Sequence, residues 1–156
     1  MYLYFFDLDD TICNTKALVD KISKDNNIYP QNFKNIQDFY VAINDYLYQY
    51  GFGELDILDN STTKLLKQLV HKEPQNVFYI TARESRAKED SKAWLKKHNL
   101  HINDEKLIMD TQGIKGLVIN DILQKSSKNF AMLFDDLLDN HLEASKYKNI
   151  ISCYPY

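Results

Sequence analysis

The sequence predicts an α/β protein built on a mostly parallel sheet, and three observations carry that prediction. Short apolar, β-forming stretches alternate with longer ones whose apolar residues recur at helical spacing. The first of them, Tyr2-Leu3-Tyr4-Phe5-Phe6, is bulky at every position, as suits a strand buried on both faces. Three of these stretches then stop abruptly in polar groups, at the sheet edge where open α/β folds form their ligand crevices. The 156 residues suffice for one domain with a substantial core, but not comfortably for two.

In chain order, residues 15–24 read as a helix that runs into the turn-prone Asp25-Asn26-Asn27, and Pro30 blocks its continuation. From Asn35 the residues Ile36, Phe39, Tyr40, Ile43, Leu47 and Tyr50 repeat at helical spacing up to Gly51 and Gly53. Packing accounts for this stripe better than an aromatic stacking platform does. Ser61 or Asn60 caps the next helix, which carries Leu65, Leu66, Leu69 and Val70 on one face and ends at Glu73-Pro74. Residues 76–80 form a short strand ending in Thr81-Ala82-Arg83, followed by a helix over 84–98 with Ala87, Trp94 and Leu95 inward and Asn99 at its C-terminal cap. A third strand (106–109), a helix (115–125), a fourth strand (129–134) ending in Asp135-Asp136, a short helix (138–146) and a last strand (149–153) complete the chain. With no repeat, low-complexity tract or linker, residues 1–156 read as a single domain, with about 14–60 its least constrained part.

Composition narrows the function. Hydrophobic residues make up 44% and charged residues 26%, ordinary for a globular chain, and no apolar run approaches the ~20 residues of a membrane helix. The first residues lack the basic region of a signal peptide. Cys13 and Cys153 make no disulfide framework, and no Cys/His spacing suggests zinc, so a reduced cytoplasmic compartment is expected. A net charge of −3 gives no nucleic-acid footprint, so any polyanion must be held locally.

The chemistry starts at Asp7-Leu8-Asp9-Asp10-Thr11. Strand geometry followed by a turn lets Asp7 and Asp9 face one cleft, and carboxylates that close call for a hard multivalent cation such as Mg²⁺. A metal there neutralises a phosphoryl group while one Asp attacks phosphorus and the other moves a proton, with Thr11 offering its hydroxyl or N–H nearby. An acidic strand end that caps the next helix is the plainer alternative. An EF-hand loop fits less well, because Ile12 stands where the turn glycine belongs.

Asp7-Leu8-Asp9-Asp10-Thr11 resembles the DxDxT signature of the haloacid dehalogenase (HAD) superfamily of aspartate-nucleophile phosphatases. The order that follows resembles it along essentially the whole chain: a strand ending in Thr81, a lysine, then Asp135-Asp136. The resemblance implies a Rossmannoid three-layer sandwich with the first strand central, and at most a small helical cap in residues 14–60. It implies Asp7 as nucleophile and Asp9 as general acid and base whose backbone carbonyl joins the metal shell. Thr81 would hold the transferring phosphoryl oxygen, or cap the helix near Glu84. Asp135 would ligate Mg²⁺ with Asp7 and Asp9, with Asp136 a second ligand or an orienter of metal-bound water; a plain helix N-terminus is the alternative for this pair. The lysine is assigned to Lys115, at a helix start on the cleft side, over Lys125 at the far end of that helix and over Lys128.

For substrate, Thr81-Ala82-Arg83-Glu84-Ser85 with the later Trp94-Leu95 resembles phosphatases of the polynucleotide kinase–phosphatase type and related small nucleotidases. Arg83 would then be a bidentate phosphate clamp, or else one half of a surface salt bridge. Lys88, Lys92 and Lys96, four apart, form a stripe that either tracks a phosphate backbone or is solvated surface. No kinase P-loop is present, and Leu137-Leu138 stands where that type often carries a polar residue. The expected substrate is a phosphorylated small molecule or nucleic-acid end, foremost a nucleotide or polynucleotide 3′-phosphate, with a sugar phosphate as alternative. A non-hydrolytic phosphoacceptor module, with Asp110 as acceptor, is the reading from another class. Neither a membrane nor an obligate protein partner is indicated.

Overall fold

A computed structural model describes residues 1–155. Five strands, β1 (Tyr2–Phe6), β2 (Val77–Ile80), β3 (Leu107–Ile108), β4 (Phe130–Phe134) and β5 (Ile150–Cys153), form one parallel sheet in the order β3-β2-β1-β4-β5. The first strand is therefore central, as expected, and the winding reverses between β1 and β4.

Alternation along β1 sorts the core into two layers. Leu3 and Phe5 join Ile80, Ala131 and Leu133 against α5 (Lys115–Gln124) and α6 (Leu138–Ala144). Phe6, with the half-buried Tyr4, faces the other way, toward Leu66 and Leu69 of α3 (Ser61–Lys72) and Trp94 and Leu95 of α4 (Lys88–Lys97). Both faces of β1 are thus covered, which is why its sequence is apolar throughout. Phe6 also stacks on Phe134 of the neighbouring strand, ring centroids 4.7 Å apart.

Two further helices, α1 (Thr15–Asn26) and α2 (Ile36–Tyr50), lie between β1 and α3 and share a core of their own around Ile22, Phe39 and Ile43. Leu18 and Leu47 pack against both this cluster and the sheet layer. Ile36, Tyr40 and Tyr50, expected on the packed stripe, are 40–51% exposed, because the helix turns Phe39, Ile43 and Leu47 toward its partner instead. The helix expected over 84–98 is divided: a single 3₁₀ turn at Ser85–Ala87 precedes α4. Asn60, not Ser61, caps α3, accepting the Thr63 N–H at 2.8 Å. Among the described residues no helix is long and apolar enough to cross a membrane.

Candidate active site

The register fixes where the acids emerge. Phe6 pairs with Phe134 on one side and Tyr79 on the other, so Asp7 and Asp135 leave adjacent strands at one level, and Thr81 stands one residue beyond it. Neighbouring parallel strands are about 4.8 Å apart, so two carboxyls at one level meet directly. Past Asp7 the chain coils tightly: the N–H groups of Thr11, Ile12 and Cys13 all donate to the Leu8 carbonyl. Asp10 takes the left-handed conformation (φ 59°), one that Asp tolerates better than most residues. This coil folds Asp9 and Thr11 back toward Asp7.

Lys115 occupies the gap between the strands. Its Nζ donates to Asp7 Oδ1 at 2.8 Å and to Asp135 Oδ2 at 2.6 Å, and all three side chains are nearly free of solvent. Lys125 is exposed at the opposite end of α5. Thr11 Oγ1 donates to Asp7 Oδ2 at 3.2 Å. Thr11 is itself fully buried and its N–H is spent on Leu8, so of its two expected contributions only the hydroxyl points into the cluster.

Asp7, Asp135 and Asp136 each bring one oxygen to a common spot, the three within 4.8 Å of one another. Burial pushes the Asp7 carboxyl well above its ordinary range; Lys115 pulls it down, and Asp135 and Asp9 push it further up. Asp136 is raised to about 6, by burial first and by Asp135 next. Lys115 stays an ammonium, because its two carboxylates outweigh the burial that opposes its charge. Three carboxyls share one ammonium, and hard oxygen donors so gathered fit a divalent cation such as Mg²⁺.

Asp9 does not belong to that set. Its Oδ1 accepts from Arg83 Nη2 at 2.7 Å and from Thr15 Oγ1 at 2.5 Å, and its Oδ2 accepts from Arg83 Nε at 3.0 Å. Burial alone would raise its carboxyl, but the guanidinium overrides this and holds it below the usual range. Where the sequence suggested that the Asp7 and Asp9 carboxylates share a cation, the Asp9 carboxylate is thus paired with Arg83 instead; the metal contact expected of Asp9 itself was through its backbone carbonyl. Arg83 departs from expectation as well. Only 3% exposed, it is neither a clamp facing the cleft nor a surface ion pair; its donors go to Asp9 and Ser91, and its Cζ lies over the Phe52 ring, 4.1 Å from the centroid. Thr81 Oγ1 accepts the Arg83 N–H at 3.1 Å, closing a local turn rather than capping a helix, since α4 begins seven residues later at Lys88.

Sequence reading missed the residues behind this cluster. Asn140 Nδ2 reaches both Asp135 oxygens at 3.0 Å, and His141 Nε2 donates to the Asp135 carbonyl at 2.7 Å. Glu143 caps α5, accepting the Gly116 and Leu117 N–H groups at 2.5 and 3.2 Å and so fixing the turn that carries Lys115. Hydrophobic patterning hid them: on α6 the leucines Leu138 and Leu142 are 57–59% exposed, and the polar residues turn inward.

Within the lysine stripe, Lys92 pairs with Asp104 at 3.0 Å and Glu89 at 3.3 Å. Asp110 is held by Ser85 through its N–H and hydroxyl, just past the end of β3, which β2 separates from β1.

Known sequences do not place the chain: no protein-family model matches it, and no curated protein matches it significantly. Solved structures match its fold. A protein assigned as a haloacid dehalogenase-like hydrolase from Burkholderia xenovorans LB400 superposes with a TM-score of 0.65, covering 98% of this chain and 81% of its own at 10% identity. A haloacid dehalogenase-like family hydrolase from Streptococcus pneumoniae gives 0.64, covering 96% and 82% at 17% identity. At such identities the likeness speaks for architecture, and the architecture is that of the haloacid dehalogenase-like hydrolases.

Proposed function

We propose that this protein is a Mg²⁺-dependent phosphomonoester hydrolase that works through an aspartyl-phosphate on Asp7. The observation that carries the reading is Lys115 bridging Asp7 and Asp135, with Asp136 alongside, at the C-terminal ends of β1 and β4 where the winding of the sheet reverses. In the first step an Asp7 carboxylate oxygen attacks phosphorus, the bond from phosphorus to the ester oxygen breaks, and Asp9 gives that oxygen a proton. In the second, Asp9 takes a proton from a water that attacks phosphorus, releasing inorganic phosphate and restoring Asp7. Lys115 balances the charge between nucleophile and phosphoryl group, and the Thr81 hydroxyl and Thr11 orient the two. Asp7, Asp135 and Asp136 would hold Mg²⁺, which when bound neutralises the phosphoryl oxygens. Residues 14–60 serve as a minimal cap, in which α1 and α2 form a helical pair beside the cleft.

For substrate class, the two features that suggested a nucleic-acid end are otherwise engaged: Arg83 is buried on Asp9, and Lys92 is paired with carboxylates. A small phosphate ester fits better, nucleotides and sugar phosphates alike. A phosphoacceptor module is disfavoured by the position of Asp110. Two free cysteines suit a reducing compartment.

The test is hydrolysis of para-nitrophenyl phosphate with and without Mg²⁺, by wild type and Asp7→Asn. Turnover should require the metal and fall by about 10³-fold or more in the variant. Equal rates in the two proteins would refute Asp7 as nucleophile, and a panel of nucleotides, oligonucleotide ends and sugar phosphates then ranks the substrate classes.

A further inference from the structure

The geometry points to Arg83 as a positioning residue for Asp9, a role that deepens the phosphomonoesterase reading and rests on it. The Arg83 side chain is 2% exposed and that of Asp9 31%, so the guanidinium stands behind the carboxylate and a substrate meets only the carboxylate. Nη2 donates to Oδ1 at 2.7 Å and Nε to Oδ2 at 3.0 Å. This side-on fork fixes the plane of the carboxylate as well as its place.

The two oxygens are not equivalent. Oδ1 also accepts from Thr15 Oγ1 at 2.5 Å and has a longer contact with Nε at 3.2 Å, whereas among the described residues Oδ2 accepts from Nε alone. Oδ2 is therefore the oxygen with room for a proton in transit. Arg83 is pinned in turn. Nη1 donates to Ser91 Oγ at 2.9 Å, Ser91 Oγ donates to the Ala87 carbonyl at 2.7 Å, and Phe52 covers the guanidinium. Thr15 opens α1, Phe52 follows α2 and Ser91 lies in α4. The orientation of Asp9 is thus set where the helical pair meets the sheet.

Leaving-group chemistry separates this role from a phosphate contact. An alkoxide cannot depart without a proton, whereas para-nitrophenolate can, so a misplaced Asp9 penalises alkyl esters selectively. Wild type, Asp9→Asn, Arg83→Gln, the double variant and the milder Ser91→Ala are compared on an alkyl phosphate and on para-nitrophenyl phosphate. Arg83→Gln should lose about 10²-fold in kcat on the alkyl ester and less than about 10-fold on the aryl ester, with KM little changed. The double variant should be no slower on the alkyl ester than Asp9→Asn. Ser91→Ala should show the same selectivity at a few-fold, and it decides the matter if Arg83→Gln does not fold. Equal losses on both esters, or a loss confined to KM, would overturn the role. If the wild type hydrolyses neither ester the enzymatic reading falls. Crystal structures of wild type and Ser91→Ala then decide the positioning: an Asp9 that stays in place when the Arg83 contact shifts overturns it, and one that moves with Arg83 supports it.

Discussion

Replacing Lys115 with methionine probes the centre of the site without needing a substrate. Methionine keeps much of the apolar stem and removes the charge, leaving Asp7 and Asp135 facing each other with almost no solvent on either. Removing one partner of a buried ion pair typically costs about 3–5 kcal/mol, because an uncompensated charge remains. For a chain of this length each kcal/mol moves the melting temperature by about 2–4 °C, so the variant should melt about 6–20 °C lower at neutral pH. The deficit should shrink in acid. Asp7 already lies well above its ordinary value through burial, and loss of the ammonium raises it further. A carboxyl raised in the folded state favours folding below its unfolded value, and that contribution is lost as pH climbs through the folded one. The two melting curves should therefore converge as pH falls toward 5, and added Mg²⁺ should recover part of the loss at neutral pH. A variant melting within about 2 °C of wild type at neutral pH would refute the view that Lys115 neutralises a buried acid pair.

Other expectations follow from the same geometry. A Cβ on Gly116 would collide with Glu143 Oε2 and lie 2.8 Å from Ala144 Cα. Gly116→Ala should therefore destabilise by about 1–3 kcal/mol, overpacking and the displaced cap outweighing the better helix propensity of alanine; a melting temperature unchanged or raised would contradict this. Asn140→Ala removes the donor that spans both Asp135 oxygens, and calorimetry should register about 10-fold weaker Mg²⁺ binding, with unchanged affinity counting against that bracing role. Because Asp136 is pushed up to about 6 from an ordinary 3.8, its contribution to the metal-free fold is full below the lower value and gone above the higher one. Mg²⁺ competes with that proton, so its stabilising shift should be larger at pH 7.5 than at pH 5.5; equal shifts would remove Asp136 from the metal set.

Much of this architecture is written locally. Tyr2–Phe6 declares a strand covered on both faces, and the carboxyls that follow it have no apolar role to play, so their place at the sheet edge is legible. Lys115 was identifiable because a helix that starts after a third strand must start on the cleft side. Long-range pairings left no such trace. Arg83 and Asp9 are 74 residues apart, and nothing local says that a guanidinium beside a phosphatase-like motif will be buried behind an acid rather than offered to a phosphate. The α6 residues were hidden by their own neighbours: hydrophobicity alone would have turned Leu138 and Leu142 inward, but the demands of the Asp135 carboxylate and carbonyl place Asn140 and His141 there.

Four carboxyls at the end of one sheet cannot all ionise without help, and two buried cations divide the work. Lys115 serves Asp7 and Asp135, while Asp136 keeps its raised value near 6; Arg83 serves Asp9 alone. The shifts run in opposite directions as a result, with Asp7 and Asp136 raised and Asp9 lowered. On the proposed mechanism this division assigns the tasks. Asp7 must be ionised to attack, and the cation that its cluster favours is what would secure that state. Asp9, ionised beside Arg83, is ready to take a proton from water in the second step but has none of its own to give in the first. A phosphate monoester can supply it: the monoanion, with a pKa near 6, brings a proton into the site beside Asp9. Turnover should then favour the substrate monoanion, with kcat/KM falling as pH rises through about 6 on alkyl esters but not on para-nitrophenyl phosphate. A rate on alkyl esters that keeps rising to pH 8 would mean that the proton reaches the leaving oxygen by another route.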